Sequence, residues 1–126
     1  MNNANDAIRL LDTENLRIAL KKFAVDRDWE QFHSPKNLAM ALSGEVGELI
    51  EIFQWCTEEK SKKVALDPET SQSVRDELAD VAMYVVRLAD VLGVDLNAAV
   101  ATKLEQNSQK YPVDKARGSN KKYNQL

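Results

Sequence analysis

Two carboxylate pairs carry the chemistry of this chain: Glu45 and Glu48 in SGEVGELIE, and Glu77 and Asp80 in RDELADV. Each pair is spaced i, i+3, which on a helix places both carboxylates on one face, a turn apart. Two such faces brought together form an all-oxygen cage, the ligand set of a hard cation such as Mg²⁺. Acidic pairs at this spacing more commonly sit on solvated helix faces. Here both pairs lie in otherwise apolar stretches. No Lys or Arg occurs between Asn37 and Glu59, so Glu45, Glu48 and Glu51 have no cation on their own helix. Buried like charges need neutralising, and a divalent cation does that.

The residues around the pairs suit a nucleotide. Trp55 lies seven residues after Glu48, and Tyr84 four after Asp80, each on the face of its carboxylate pair. Aromatic rings beside a metal cage can stack on a base whose phosphates reach the metal, although filling a core is the commoner role of any single ring. Trp29, Phe32 and His33 offer a further pocket wall. His33 is the only histidine; it serves helix entry as readily as ligand contact, and no catalytic role is given to it. Lys103, Asn107 and Lys110, with Tyr111 next, make a basic and polar helix face that can donate to phosphate oxygens or simply face solvent. The tail residues Lys115, Arg117, Lys121 and Lys122 read the same way. Gly44 and Gly47 flank Glu45, at about 1 kcal/mol each relative to Ala in a helix. They mark either close helix packing or room for a ligand.

Long helices must position these groups. Gly and Pro number only 4 and 3 in 126 residues, which favours few turns. Thr13 can cap a first helix to about Trp29. Ser34-Pro35 opens a second helix to about Cys56, and residues 57–66 read as a charged loop. Asp67-Pro68 opens a third helix ending near Leu92 with Gly93 as its cap. Asp95 opens a fourth, which Tyr111-Pro112 ends. The expectation is a single all-α domain over 1–126, an antiparallel four-helix bundle, with 1–12 and 113–126 as flexible or partner-docked ends. From Glu77 to Leu92 the polar positions are nearly confined to Glu77, Asp80, Arg87 and Asp90. That helix is apolar over more of its circumference than a monomeric bundle needs, so a homo-oligomer, at least a dimer, is expected.

Composition narrows the functional classes. The net charge is −3, which does not support nucleic-acid binding by charge. The N-terminal residues lack a secretory pattern and no apolar run is long enough to span a membrane. The single Cys56 cannot form an intramolecular disulfide, so the cytoplasm is the expected compartment.

Glu-x-x-Glu, 28 residues, then Glu-x-x-Asp, on adjacent helices, resembles the MazG-like all-α nucleoside triphosphate pyrophosphatases. RDWEQFHSPKNLAMALSGEVGELIEIFQW, DELADVAMYVVRLADVLGVDL, KLEQNSQKYP and SNKKY are similar to the dCTP pyrophosphatase branch, and the similarity covers roughly residues 14–124. The resemblance implies Mg²⁺-dependent cleavage of a nucleoside triphosphate, dCTP or a 5-modified dCTP first, to monophosphate and pyrophosphate, in nucleotide-pool sanitation. It implies Glu45, Glu48, Glu77 and Asp80 as metal ligands and Trp29, Trp55 and Tyr84 around base and sugar, with His33 in the same signature. It implies phosphate contacts from Lys103, Asn107 and Lys110 beside Tyr111, and from Arg117 and Lys121. Lys110 stands where an arginine is common, and Leu20 where a relative places a histidine near the base. Dimers, or tetramers built as paired dimers, are implied as well. Glu45 or Glu48 can act as general base through a water. The alternatives are a related hydrolase preferring dUTP or another nucleotide, and a non-catalytic nucleotide-binding helical oligomer.

Overall fold

A computed structural model describes residues 9–126. Among these residues there is no strand, and the all-α expectation holds. Six α-helices occur among the described residues: α1 Glu14–Asp26, α2 Pro35–Phe53, α3 Glu58–Ser61, α4 Ser71–Leu92, α5 Leu96–Lys110 and α6 Val113–Ala116. Short 3₁₀ turns lie at Glu30–Phe32 and Tyr123–Gln125.

The helix ends follow side-chain chemistry. Ser34 accepts from the Asn37 N–H at 3.2 Å, with Pro35 at the first helical position, so two features that favour a helix start coincide. Asp95 caps α5 by accepting from the Ala98 N–H at 3.0 Å. Gly93 ends α4 in the left-handed region, at φ 69°, where a residue without Cβ is least strained. The Val94 N–H then reaches back to the Ala89 carbonyl, the bond pattern that satisfies the last carbonyls of a helix.

α1 and α2 end about a turn before the expected Trp29 and Cys56, at Asp26 and Phe53, and two further stretches differ from expectation. Residues 57–66 are not simply a loop: Thr57 accepts from the Lys60 N–H at 3.2 Å and caps the one-turn helix α3. Asp67-Pro68 does not open α4. Asp67 closes a turn by accepting from the Glu69 N–H. The hydroxyls of Thr70 and Ser71 donate to the carbonyls of Val64 and Ala65, and α4 starts only at Ser71. Such local side-chain bonds compete with helix formation.

The chain divides into two compact units. In Glu14–Val94, α4 packs along α2 and, less extensively, against α1. Leu38 (2% exposed), Ala24, Val74, Val86 and Ala89 form its core, with Val64 from the segment after α3. Arg17 on α1 pairs with Asp90 on α4 at 3.2 Å. The other unit holds residues 9–13 and Asp95–Leu126. There the Leu11 N–H donates to the Asn97 side chain at 3.0 Å. Tyr123 meets Tyr111 edge-on at 6.2 Å, and the Lys110 ammonium lies 5.0 Å from the Tyr123 ring. The basic stretch after Pro112 thus carries a helical turn, α6, and an aromatic anchor. The N-terminal part of the expected flexible end, 1–8, lies outside the described residues.

Candidate metal centre and adjoining cavity

The i, i+3 spacing on α2 and the packing of α4 on α2 bring three of the four expected carboxylates together. Glu45, Glu48 and Glu77 each place an oxygen within 4.8 Å of the others. Glu45 Oε2 and Glu77 Oε2 are buried with no hydrogen-bond donor. Orphaned carboxylate oxygens in a buried position are costly. A proton or a cation between them relieves that cost. Sharing a proton with Glu45 is the main cause that pushes the Glu77 carboxyl up to about 7, with burial next and Glu48 adding to it. The donor set is all carboxylate oxygen, which fits a hard divalent ion. Asp80, three residues along α4 from Glu77, is not part of the trio and lines a neighbouring cavity.

That cavity, of about 250 Å³, lies within the Glu14–Val94 unit. Phe23, Trp29 and His33 line one part, in a run of edge-on contacts of 5.7 and 6.5 Å. Asp80, Met83, Tyr84 and Arg87 line it from α4, and Leu20 from α1. His33 Nδ1 accepts from the Arg87 Nε–H at 3.1 Å. Burial, then the Arg87 charge, lower the His33 pKa from its ordinary value, against a weaker opposing pull from Glu30. His33 is therefore neutral at pH 7.

The other expected residues are not among those that line this cavity. Trp55 is 88% exposed and borders a different, open hollow with Glu51, Cys56, Lys60 and Lys63. Lys103, Asn107, Lys110, Tyr111, Arg117 and Lys121 belong to the unit that contains α5. The expected site residues did not include Phe23, Met83 or Arg87, all of which line the cavity. Arg87 did carry a signal, since Glu77, Asp80, Tyr84 and Arg87 form one stripe at i, i+3, i+7 and i+10. Among the described residues, an added Cβ at Gly44 or Gly47 would meet nothing within 4 Å, so neither glycine serves close packing among them.

Comparison with known proteins places the chain in a family. The model of the MazG-like family matches residues 40–126. The chain is 47% identical over 113 residues to dCTP pyrophosphatase 1 of Rattus norvegicus and 45% identical to dCTP pyrophosphatase 1 of Homo sapiens. Each match covers 90% of this chain and 66% of the relative, so the chain spans just under two thirds of their length. A solved pyrophosphatase from Archaeoglobus fulgidus superposes with a TM-score of 0.73 at 38% identity, covering 84% of this chain and 99% of that one. The chain belongs to the MazG-like family.

Proposed function

We propose that this MazG-like chain is a Mg²⁺-dependent nucleoside triphosphate pyrophosphohydrolase that converts dCTP, or a 5-modified dCTP, to dCMP and pyrophosphate. The observation that carries the reading is the convergence of Glu45, Glu48 and Glu77 with two buried, donorless carboxylate oxygens. A site so charged repels a triphosphate of about four negative charges unless cations intervene. Glu45, Glu48, Glu77 and Asp80 would hold them. A bound divalent cation supplies charge neutralisation and lowers the pKa of a water.

The remaining work falls to side chains. The aromatic cavity reaches Asp80, one helical turn from Glu77. At about 250 Å³ it is smaller than the roughly 300–1,000 Å³ of drug-sized pockets, which suits a base and its sugar rather than a whole nucleotide. Trp29 and Tyr84 would flank the base, with Trp55 as a further stacking ring. Lys103, Asn107, Lys110 and Tyr111, with Arg117 and Lys121, would donate to the phosphates. Glu45 or Glu48 would take the proton of the attacking water as it approaches the α-phosphorus in line with the leaving pyrophosphate. The 47% identity to a dCTP pyrophosphatase supports dCTP as substrate.

The family match at 40–126 spans parts of both compact units, which supports one working domain. Met40 at 64% and Leu78 at 54% exposure are large apolar groups on α2 and α4. They support a homo-oligomer, a tetramer of paired dimers or a dimer, in which the helices complete a bundle. The free thiol of Cys56 suits a reducing compartment such as the cytoplasm. No helix among the described residues is long and apolar enough to cross a membrane.

Pyrophosphate release from a panel of canonical and 5-methylated nucleotides, with Mg²⁺ and with chelator, tests the reading. Mg²⁺-dependent turnover strongest on dCTP or 5-methyl-dCTP is expected. Turnover strongest on dUTP would move the base preference, and none from a folded oligomer would leave a nucleotide-binding module.

A further inference from the structure

The described part of the site contains one buried cation that no step above uses. Arg87 is 7% exposed and lines the aromatic cavity. Its guanidinium faces three groups. Nε donates to His33 Nδ1 at 3.1 Å, Nη1 to Asp90 Oδ2 at 3.4 Å, and Nη2 lies 3.8 Å from Glu30 Oε1. Asp90 is held in turn by Arg17 from α1 at 3.2 Å. The arginine therefore ties α1, α4 and the turn at Glu30–Phe32 together behind one imidazole.

A guanidinium has five N–H donors and no acceptor, and it stays protonated. A ring nitrogen that meets it at hydrogen-bond distance must accept. Nδ1 of His33 therefore carries no proton, and a neutral imidazole then has its proton on Nε2. Among the described residues Nε2 meets no protein partner. The tautomer is fixed from behind, and the remaining polar edge of a cavity-lining ring is a donor.

We propose that Arg87 is a positioning residue for base selection: it locks His33 as a neutral Nε2–H donor, so that the cavity selects a base presenting a carbonyl or ring-nitrogen acceptor there. The proposal rests on the nucleotide reading of the cavity given above. A pyrimidine with an acceptor edge, such as the O2 and N3 edge of cytosine, satisfies the donor. A base that presents an N–H to it would set donor against donor and leave the imidazole proton unpaired.

Because His33 is the only histidine, nitrogen-correlated NMR of the imidazole reads its state directly. The wild-type protein is expected to show one tautomer at pH 7.5, protonated at Nε2, and saturating dCMP is expected to shift that N–H resonance. In R87M, which removes the donor, the ring is expected to sample both tautomers. The KM for dCTP should rise about fivefold, the worth of one neutral hydrogen bond, with kcat changed by less than about twofold. R87Q, which restores a neutral N–H donor, should recover the single tautomer and most of the KM. A mixed or Nδ1-protonated ring in the wild type overturns the proposal, as does R87M with tautomer and KM both unchanged. Should R87M fail to fold, the wild-type spectrum with and without dCMP decides alone, and an Nε2–H resonance unmoved by bound dCMP overturns it. Failure of the nucleotide reading has a different signature: the Nε2–H tautomer stays in place, yet no nucleotide binds or is turned over.

Discussion

Glu77 gives the sharpest quantitative test of the carboxylate cage. Its pKa stands at about 7 without metal, chiefly because it shares a proton with Glu45. A divalent ion must displace that proton, so metal binding releases it. With a pKa of about 7, Glu77 carries about 0.9 proton at pH 6 and about 0.1 at pH 8. Saturating the metal-free protein with Mg²⁺ in weakly buffered solution should release about 0.9 proton per chain at pH 6 and almost none at pH 8. A pH-stat, or calorimetry in buffers of different ionisation enthalpy, measures this directly. E77Q keeps the shape of the side chain and removes the titrating group, and should abolish the pH-dependent release. Equal release at both pH values, or an unchanged profile in E77Q, would refute the reasoning.

The same shift sets the sign of a stability change. The folded-state value lies above the ordinary 4.5, so between these pH values the folded chain binds more proton than the unfolded one. The metal-free protein should therefore hold this contribution fully below pH 4.5 and lose it as pH rises through about 7. Thermal melts with chelator at pH 5 and pH 8, on wild type and E77Q, check it; the wild type should lose more on going to pH 8. S34A removes the cap of α2 and should cost about 1 kcal/mol in denaturant melts, with the helix end frayed. L38A, at the most buried large side chain, should cost about 2–5 kcal/mol. W55A should leave stability within about 0.5 kcal/mol, because the ring is a surface group in the chain, while raising the KM for the nucleotide. G47A should stabilise the isolated chain by up to about 1 kcal/mol; lost turnover with that gain would show that a ligand or a second copy uses the space beside Glu45.

Much of this site was legible because helical spacing is rigid. Once Glu45 and Glu48 sit at i, i+3 on α2, and Glu77 on a neighbouring apolar helix, few arrangements keep the three apart. The caps at Ser34 and Asp95 and the glycine stop at Gly93 were legible for the same reason, since each is decided within four residues of chain. The late start of α4 was not, because it depends on Thr70 and Ser71 reaching carbonyls six residues back. The pairing of Arg87 with His33 was hidden for a stronger reason. The two lie 54 positions apart, and only the packing of α4 beside the turn before α2 makes the imidazole a partner. Trp55 shows where helical register stops being a guide within one chain. Its spacing from Glu48 suggested a shared face, yet its ring borders another hollow, since α2 ends at Phe53 and the helical register no longer governs it.

The most direct test of the central claim is hydrolysis of dCTP in ¹⁸O-labelled water, with Mg²⁺ and with chelator, followed by mass spectrometry of both products. The carboxylate cage and the proposed attack at the α-phosphorus predict Mg²⁺-dependent dCMP carrying the label and unlabelled pyrophosphate. Label in the pyrophosphate would place the attack at the β-phosphorus, and equal turnover under chelator would remove the reason for the cage. Either result contradicts the account.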